Sequence, residues 1–153
     1  MRLLSIASGS SGNSIYIGSD STHILVDAGI SNKRIEEGLN LAQLSGSDID
    51  GICITHEHSD HIKGLGVLAR KYEIPIYATR DTIAAIKNDL TLGSYSFSLF
   101  REIRSDSDFS IGDITIHPFH TYHDAADPVG FRFESSGNTA AIATDMGHYD
   151  EYI

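Results

Sequence analysis

The sequence predicts a mixed α/β fold, in the broad sense that includes α+β, built as one domain over residues 1–153. In the first half of the chain, short apolar segments of strand length alternate with segments of helical periodicity. In the second half, short segments of alternating polarity are separated by turn residues, which is typical of antiparallel sheet. With 41% hydrophobic and 21% charged residues, the chain has the composition of an ordinary globular domain. We find no repeat and no linker that would divide it.

The first half predicts the order β-β-β-α-β-α-β-α. Strands at 3–8 and 14–19 flank a Gly/Ser-rich turn at 9–13 and are expected to form a hairpin. A third strand covers 22–27, and Ser31 is the predicted N-cap of a helix that runs to about residue 43. The remaining elements of this half are a strand at 51–55, a helix near 64–72, a strand at 76–78 and a helix from about 81 to 88.

The second half predicts five further strands. They lie near 97–104, 109–111, 113–119, 129–134 and 138–143. Gly112, the segment 124–128 and the pair Gly137-Asn138 separate them, and such residues favour turns. The chain is therefore expected to end in antiparallel sheet.

A hexapeptide that directly follows the strand at 51–55 predicts a metal site. Its sequence is His56-Glu57-His58-Ser59-Asp60-His61. His56 and His58 are two residues apart on an extended segment, so they project to the same side and can bind one ion. Asp60 and His61 follow where the chain turns towards a helix, and they can bind a second ion. The alternative is a polar loop that is rich in histidine by chance, and the spacing favours the two-metal site.

Composition indicates the cellular environment and the kind of partner to expect for this site. Cys53 is the only cysteine, so the chain cannot form an internal disulfide, and we expect it to be a buried apolar side chain of its strand. No signal peptide and no apolar segment of membrane-spanning length is apparent, so we expect a cytoplasmic protein without a membrane partner. The net charge of −10 argues against broad adhesion to nucleic acid. It does not exclude a phosphate substrate, because two bound divalent cations would reverse the local charge.

Several motifs together resemble those of the metallo-β-lactamase superfamily. They are Leu25-Val26-Asp27-Ala28-Gly29 at a strand end, the His56–His61 hexapeptide, His123 after a predicted hairpin, and Asp145 after the last predicted strand. A narrower resemblance, to the bacterial YycJ/WalJ-type branch, is carried by Ser8-Gly9-Ser10-Ser11-Gly12-Asn13-Ser14, His123-Asp124-Ala125-Ala126-Asp127-Pro128-Val129-Gly130 and Thr144-Asp145-Met146-Gly147. It spans essentially the whole chain, and it implies a four-layer αββα sandwich with metals at the sheet edges.

The resemblance also implies a set of metal ligands. His56, His58 and His123 would bind the first ion, Asp60 and His61 the second, and Asp145 would bridge the two.

Three further residues enter as candidates. Asp27 has two possible roles: it orients the metal loop, or it only ends a strand in a turn. His120 is the alternative to His123, whose sequence context matches the motif better. His148 would contact substrate or act as an acid, or it is an ordinary loop histidine. The catalytic candidates are thus Asp60 and His148.

The implied function is a dinuclear metal-dependent hydrolase that uses a metal-bridging hydroxide. The branch implies a phosphodiesterase or nuclease, specifically a 5′-directed exonuclease with DNA as its partner. Two divalent ions are expected, zinc first and manganese second, and no stable protein partner is predicted.

Three alternatives remain open. Another hydrolase of the superfamily would act on a thioester, a lactam or a small cyclic phosphodiester. A redox di-iron protein is disfavoured, because that branch has glutamate where this chain has His58. An inactive metal-binding fragment is the third, since the resemblance implies one more histidine in a late C-terminal loop beyond Ile153. We therefore expect a domain that is incomplete at its C-terminus and binds the second ion weakly.

Overall fold

The computed structural model describes residues 1–147. Within them, ten strands form two sheets. A six-stranded sheet has the order β1-β2-β3-β4-β5-β6, with β1 (Arg2–Ala7), β2 (Ser14–Gly18), β3 (His23–Val26), β4 (Gly51–Cys53), β5 (Ile76–Thr79) and β6 (Phe100–Ile103). β2 is antiparallel to both of its neighbours, β1 and β3, and β3 to β6 are parallel. The carboxyl ends of four strands therefore lie at one edge of this sheet.

The second sheet is antiparallel and has four strands. Its order is β10-β9-β8-β7, with β7 (Phe109–Ile111), β8 (Ile114–His120), β9 (Val129–Ser135) and β10 (Asn138–Ile142). Alternating residues of its strands face the six-stranded sheet. Phe131 and Phe133 from β9 are fully buried there, in one cluster with Ile24, Val26 and Cys53. This cluster is the core between the two sheets.

Helices cover the other face of the six-stranded sheet. They are α1 (Asn32–Leu41), α2 (Ser59–Ile62), α3 (Leu65–Tyr72) and α4 (Arg80–Lys87). Leu39 of α1, Leu68 of α3 and Ile86 of α4 belong to one buried cluster with Leu25 and Ile52 of the sheet. Leu25 lies between Ile24 and Val26 along β3, so successive side chains enter opposite cores, as strand geometry requires.

The structure confirms the predicted fold class and nearly every predicted element. The first helical layer and both sheets of the expected αββα arrangement lie within the described residues. The Ser31 hydroxyl accepts a hydrogen bond from the Arg34 amide at 3.3 Å, as expected of an N-cap. Cys53 is buried as predicted, and burial raises the pKa of its thiol.

One local prediction is wrong, and one short helix was missed. The segment 97–104 is not one strand: a 3₁₀ turn, Phe97–Leu99, precedes the shorter β6. The four-residue helix α2 inside the hexapeptide was not predicted, because one helical turn is too short to show a periodicity. Among the described residues, no helix has the length and apolarity needed to cross a membrane.

Candidate metal centre

The carboxyl ends of β3 and β4 place the candidate residues side by side. Asp27 directly follows β3 and has a left-handed backbone (φ 63°), which aspartate tolerates better than most residues. The Ala28 amide donates to the His61 carbonyl at 2.8 Å and so ties this strand end to the hexapeptide. Gly29 packs so closely that a Cβ there would lie 1.7 Å from the Asp60 carbonyl oxygen. A glycine is therefore required for the two segments to meet.

Helix α2 sets the direction of the last two candidate ligands in the hexapeptide. His58 is its N-cap residue, and the His61 amide donates to the His58 carbonyl at 2.9 Å. This single turn buries His61 completely and leaves the side chain of Asp60 about 29% exposed. His61 thus lies inside the protein wall, while Asp60 lies at its rim.

Three histidines form one group of donors. The ligand atoms of His56, His58 and His123 all lie within 4.8 Å of one another. His58 Nδ1 is 3.2 Å from His123 Nε2. Two nitrogens bound to one zinc ion at 2.0–2.1 Å in tetrahedral geometry are about 3.3 Å apart. The observed spacing therefore suits two ligands of one metal ion.

A second group lies beside the first and shares His56 with it. Its members are His56, His61 and Asp145. Asp145 Oδ2 is 2.6 Å from His61 Nε2 and 3.6 Å from His56 Nε2, and Asp60 Oδ2 is 3.5 Å from His61 Nε2. The carboxylate of Asp145 thus belongs to the second group, and it lies nearer to His61 than to the shared His56. The sequence did not predict that His56 belongs to both.

A buried network beneath the cluster determines which nitrogens can act as ligands. The Asp27 carboxylate accepts hydrogen bonds from the Thr55 amide and hydroxyl, both at 2.8 Å, and from His61 Nδ1 at 2.7 Å. Because Nδ1 of His61 is engaged with Asp27, Nε2 is the nitrogen that remains for a metal ion, which would displace any proton there. The Thr55 hydroxyl donates to Asp27, so it accepts from His56 Nδ1 at 3.0 Å. This leaves Nε2 of His56 free as well.

The environment also sets the charge of these imidazoles. Burial, reinforced by the neighbouring imidazoles of His61, His58 and His123, lowers the pKa of His56 to about 3. His56 is therefore neutral at pH 7 and able to coordinate a cation. Burial alone would lower the pKa of His61, but the hydrogen bond and the negative charge of Asp27 outweigh it and raise that pKa.

An unpaired buried atom tests whether the cluster fits a metal. Among the described residues, His56 Nε2 is buried and has no hydrogen-bond partner. Buried polar atoms are nearly always paired, so this lone pair in the centre of the cluster indicates a missing electropositive partner. Neutral imidazoles and carboxylates are the donors that zinc and manganese take in proteins. The donor set fits a divalent metal.

Asn13 is a further member of the site that the sequence reasoning missed. Its Nδ2 lies 3.3 Å from Asp60 Oδ2, 3.3 Å from the Asp60 carbonyl and 3.3 Å from His61 Nε2. The turn at 9–13 does join the predicted hairpin of β1 and β2. The motif Ser-Gly-Asn was a signal, but only the fold brings Asn13 to a residue 47 positions away.

Two of the other histidine candidates are placed differently. His120 lies outside both donor groups, with Nδ1 3.9 Å from Asp127 Oδ1, so within residues 1–147 the cluster takes His123 and not His120. His148 lies outside the described residues.

Comparison with known proteins decides the family. A model described as the Metallo-beta-lactamase superfamily matches residues 7–153. The chain belongs to the metallo-β-lactamase superfamily. The resemblance seen in its motifs is thereby confirmed, and this membership together with the His/Asp cluster indicates divalent metal binding.

Characterised nucleases of the superfamily are similar in sequence. The chain is 41% identical to exodeoxyribonuclease YycJ of Bacillus anthracis over 95% of its own length and 54% of that protein. The figures for exodeoxyribonuclease WalJ of Streptococcus pneumoniae are the same. It is 28% identical to ribonuclease J2 of Bacillus subtilis, over 90% of the chain and 27% of that protein. The chain thus spans about half the length of its YycJ and WalJ relatives.

Solved structures of the superfamily share the fold. A metallo-β-lactamase of Cronobacter sakazakii matches 92% of this chain and 55% of its own with a TM-score of 0.76 at 18% identity. MEM-A1, a subclass B3 enzyme from a soil metagenome, matches 91% of this chain and 58% of its own with a TM-score of 0.70 at 21% identity. At such low identity the likeness extends to the fold alone.

Proposed function

We propose that this chain binds two divalent metal ions and forms the metal-binding part of a phosphodiesterase, an exonuclease that degrades DNA. One observation carries the proposal: two donor groups share His56, and the second of them includes the Asp145 carboxylate. A pair of ions a few ångströms apart is the usual arrangement in enzymes that displace an oxygen at phosphorus.

The geometry supports a specific assignment of ligands. His56, His58 and His123 bind the first ion. Asp60 and His61 bind the second, and Asp145 bridges the two ions. Imidazole-rich ligation favours zinc, and the two carboxylates make manganese the second choice.

The chain's own side chains prepare the site for hydrolysis. Divalent ions bound there would polarise a phosphoryl oxygen and lower the pKa of a coordinated water towards neutrality. Asp27 and Thr55 engage Nδ1 of His61 and of His56 in hydrogen bonds, so that Nε2 of each ring is left for a metal ion. Asp60, held by Asn13, and Asp145 are the partly exposed carboxylates of the set, on the side from which substrate can approach. His148 stays a candidate for substrate contact or proton donation.

The proposed substrate rests on sequence similarity. The two relatives at 41% identity are exodeoxyribonucleases, and the more distant ribonuclease J2 acts on RNA by its name. DNA is therefore the proposed substrate, degraded from the 5′ end.

Labelled oligonucleotides test the proposal. The chain loaded with zinc or manganese is incubated with single-stranded DNA and RNA that carry a fluorophore at the 5′ or the 3′ end. We expect the 5′ label to be released first as a short product, from DNA faster than from RNA. His58→Ala and Asp60→Ala should each lower the rate at least about 100-fold, since they remove metal ligands. His117→Ala, which changes a histidine paired with Asp108 outside the cluster, is the matched control.

Other outcomes would contradict the proposal. Faster cleavage of RNA would exclude DNA as the main substrate. Hydrolysis of a thioester or a lactam without any cleavage of DNA would show another activity of the superfamily. Bound metal without hydrolysis of any of these compounds would leave a metal-binding module only. His148→Gln, assayed over pH, tests the remaining candidate: loss of a limb of the pH–rate profile supports proton donation.

A further inference from the structure

Two arginines lie at the same sheet edge as the metal centre. Arg80 directly follows β5 and Arg104 directly follows β6, and Thr79 pairs with Ile103 in the parallel register of these strands. Parallel strands are about 4.8 Å apart, so β5 and β6 lie about 5 and 10 Å to one side of β4. The arginines therefore continue, along the edge, the line that begins with the metal loop after β4.

The two arginines border an open cavity. It has a volume of about 510 Å³ and is lined by Arg80, Arg104, His120, Asp127, Glu102 and neighbouring atoms of Ile103 and Ser105. Both arginines are exposed. Among residues 1–147, neither guanidinium forms a hydrogen bond or an ion pair. In contrast, Arg70 donates to the carbonyl oxygens of Leu92 and Ser94. Arg80 and Arg104 are thus free to bind an anion.

One loop joins this cavity to the metal centre. It carries His123 in the donor group and Asp127 in the cavity wall. The Thr79 hydroxyl donates to the Asp127 carbonyl at 3.0 Å, and the Ala126 amide donates to Glu57 Oε1 at 2.7 Å. The loop is therefore fixed both to the end of β5 and to the hexapeptide, and the cavity and the metal centre are neighbours.

The surface continues beyond Arg80 with two aromatic side chains, one exposed and one half-buried. A second cavity of about 380 Å³ shares Arg80 and Glu102 with the first and is also lined by Lys87, Phe97 and Phe100. Lys87 Nζ lies 5.3 Å from the ring centre of Phe97 and 5.7 Å from that of Phe100. Phe97 is 49% exposed, so its ring is accessible beside Lys87.

We propose that this surface, the arginine groove, binds the sugar–phosphate backbone and a base of a single nucleic-acid strand whose end reaches the metal centre. The groove consists of Arg80, Lys87, Phe97, Phe100 and Arg104. Proteins bind single strands by this combination: cationic side chains contact the phosphates, and neighbouring aromatic rings stack on the bases. The chain as a whole has a net charge of −10, so a local group of cations stands out from the rest of its surface. The proposal rests on the proposed function for the reaction that follows binding.

Binding without cleavage tests the groove directly. Fluorescence anisotropy of a labelled single-stranded DNA is measured with the unaltered chain and variants in EDTA. The double variant Arg80→Ala/Arg104→Ala should bind about tenfold more weakly or worse, and its log Kd should depend less steeply on log salt, by about 1.4, since each phosphate contact contributes about 0.7 for single strands. Lys33→Ala/Arg34→Ala removes the same charge from exposed positions on α1 and should bind normally.

Two further variants separate the groove from a loss of folding. Glu102→Gln removes a carboxylate from both cavities, so it should tighten binding by about two- to fivefold, a gain that misfolding cannot produce. Phe97→Ala should weaken binding about tenfold through lost stacking. Leu90→Ala, at an apolar residue that is 89% exposed and lies outside both cavities, should not change it.

Each result decides between the two proposals. No binding of DNA by the unaltered chain, or equal binding by the arginine double variant and its α1 control, would overturn the groove. Binding that depends on the arginines in a chain that cuts no nucleic acid would support the groove and contradict the proposed function. Cleavage of DNA by a chain whose affinity does not depend on Arg80 and Arg104 would do the reverse.

Discussion

Asp27 offers the sharpest test of how the fold prepares the metal ligands. Its carboxylate is buried, and its Oδ2 accepts from both the Thr55 hydroxyl and His61 Nδ1. In Asp27→Asn, an amide of the same size keeps Oδ1 for the Thr55 amide and tolerates the left-handed backbone. The new NH₂ group, however, faces His61 Nδ1. It favours the tautomer in which Nδ1 accepts and the ligating Nε2 carries the proton.

The size of the effect follows from this reversal. To bind an ion, His61 must move its proton back to Nδ1, which sets two donors against each other and loses a buried hydrogen bond. Such a loss costs about 1.5–3 kcal/mol, and this corresponds to about a 10- to 100-fold weaker second ion. The metal-free protein should change less in stability, by under about 2 kcal/mol, because the neutral amide removes the cost of burying a charge.

Metal titration measures the effect. Metal-free protein is titrated with zinc against a chromophoric chelator, and urea unfolding gives the stability of the same samples. Asp50→Asn is the matched control, since Asp50 accepts a backbone hydrogen bond from His23 at 2.9 Å on the surface away from the cluster. A second ion bound as tightly by Asp27→Asn as by the unaltered chain would refute the tautomer argument. Equal loss of both ions would refute the assignment of His61 to the second ion alone.

Three other changes have defined outcomes. Asn13→Ala removes the amide that holds Asp60 and should weaken the second ion about tenfold in the same titration; unchanged affinity would contradict a supporting role. Hydrogen bonds, chiefly from the Ser19 hydroxyl, lower the pKa of Asp113 to about 2, so its stabilising contribution is complete above the unfolded value of about 4 and is lost as the pH falls towards 2. Asp113→Asn should therefore flatten the pH dependence of urea unfolding in that window only. Phe131→Ala should cost about 3–5 kcal/mol in urea unfolding, because it opens a cavity between the two sheets, and a loss under about 1 kcal/mol would contradict that packing.

The strands and the helices other than α2 were predictable because each has a local signal. The alternation of Ile24, Leu25 and Val26 between two cores is visible in sequence only as an apolar run, yet its length and its end at Asp27 identify a strand. Ser31 is a residue type favoured at helix N-caps, so it indicates where its helix begins. The single 3₁₀ turn Phe97–Leu99 has no such signal, because Phe97 and Leu99 suit a strand equally well.

The candidate site was predictable as far as its donors follow motifs. The hexapeptide, His123 and Asp145 were all named from sequence, and the fold brings them together. The residues that hold these donors in place were not predictable in the same way. Thr55 and Asn13 are common polar residues, and their contacts with Asp27 and Asp60 span 28 and 47 positions. Only the register of β3 against β4 and the return of the 9–13 turn create those contacts.

The most direct test of the proposed dinuclear site is the number of ions that the chain takes up after its metal has been removed. Zinc is titrated into chelator-treated protein, and the ions per chain are counted by elemental analysis after gel filtration. The proposed site predicts two ions for the unaltered chain and for His120→Ala, with the second held more weakly because Asp60 and Asp145 are partly exposed. It predicts a single ion for His123→Ala and for Asp60→Ala. One ion or none in the unaltered chain, or two in every variant, would contradict it.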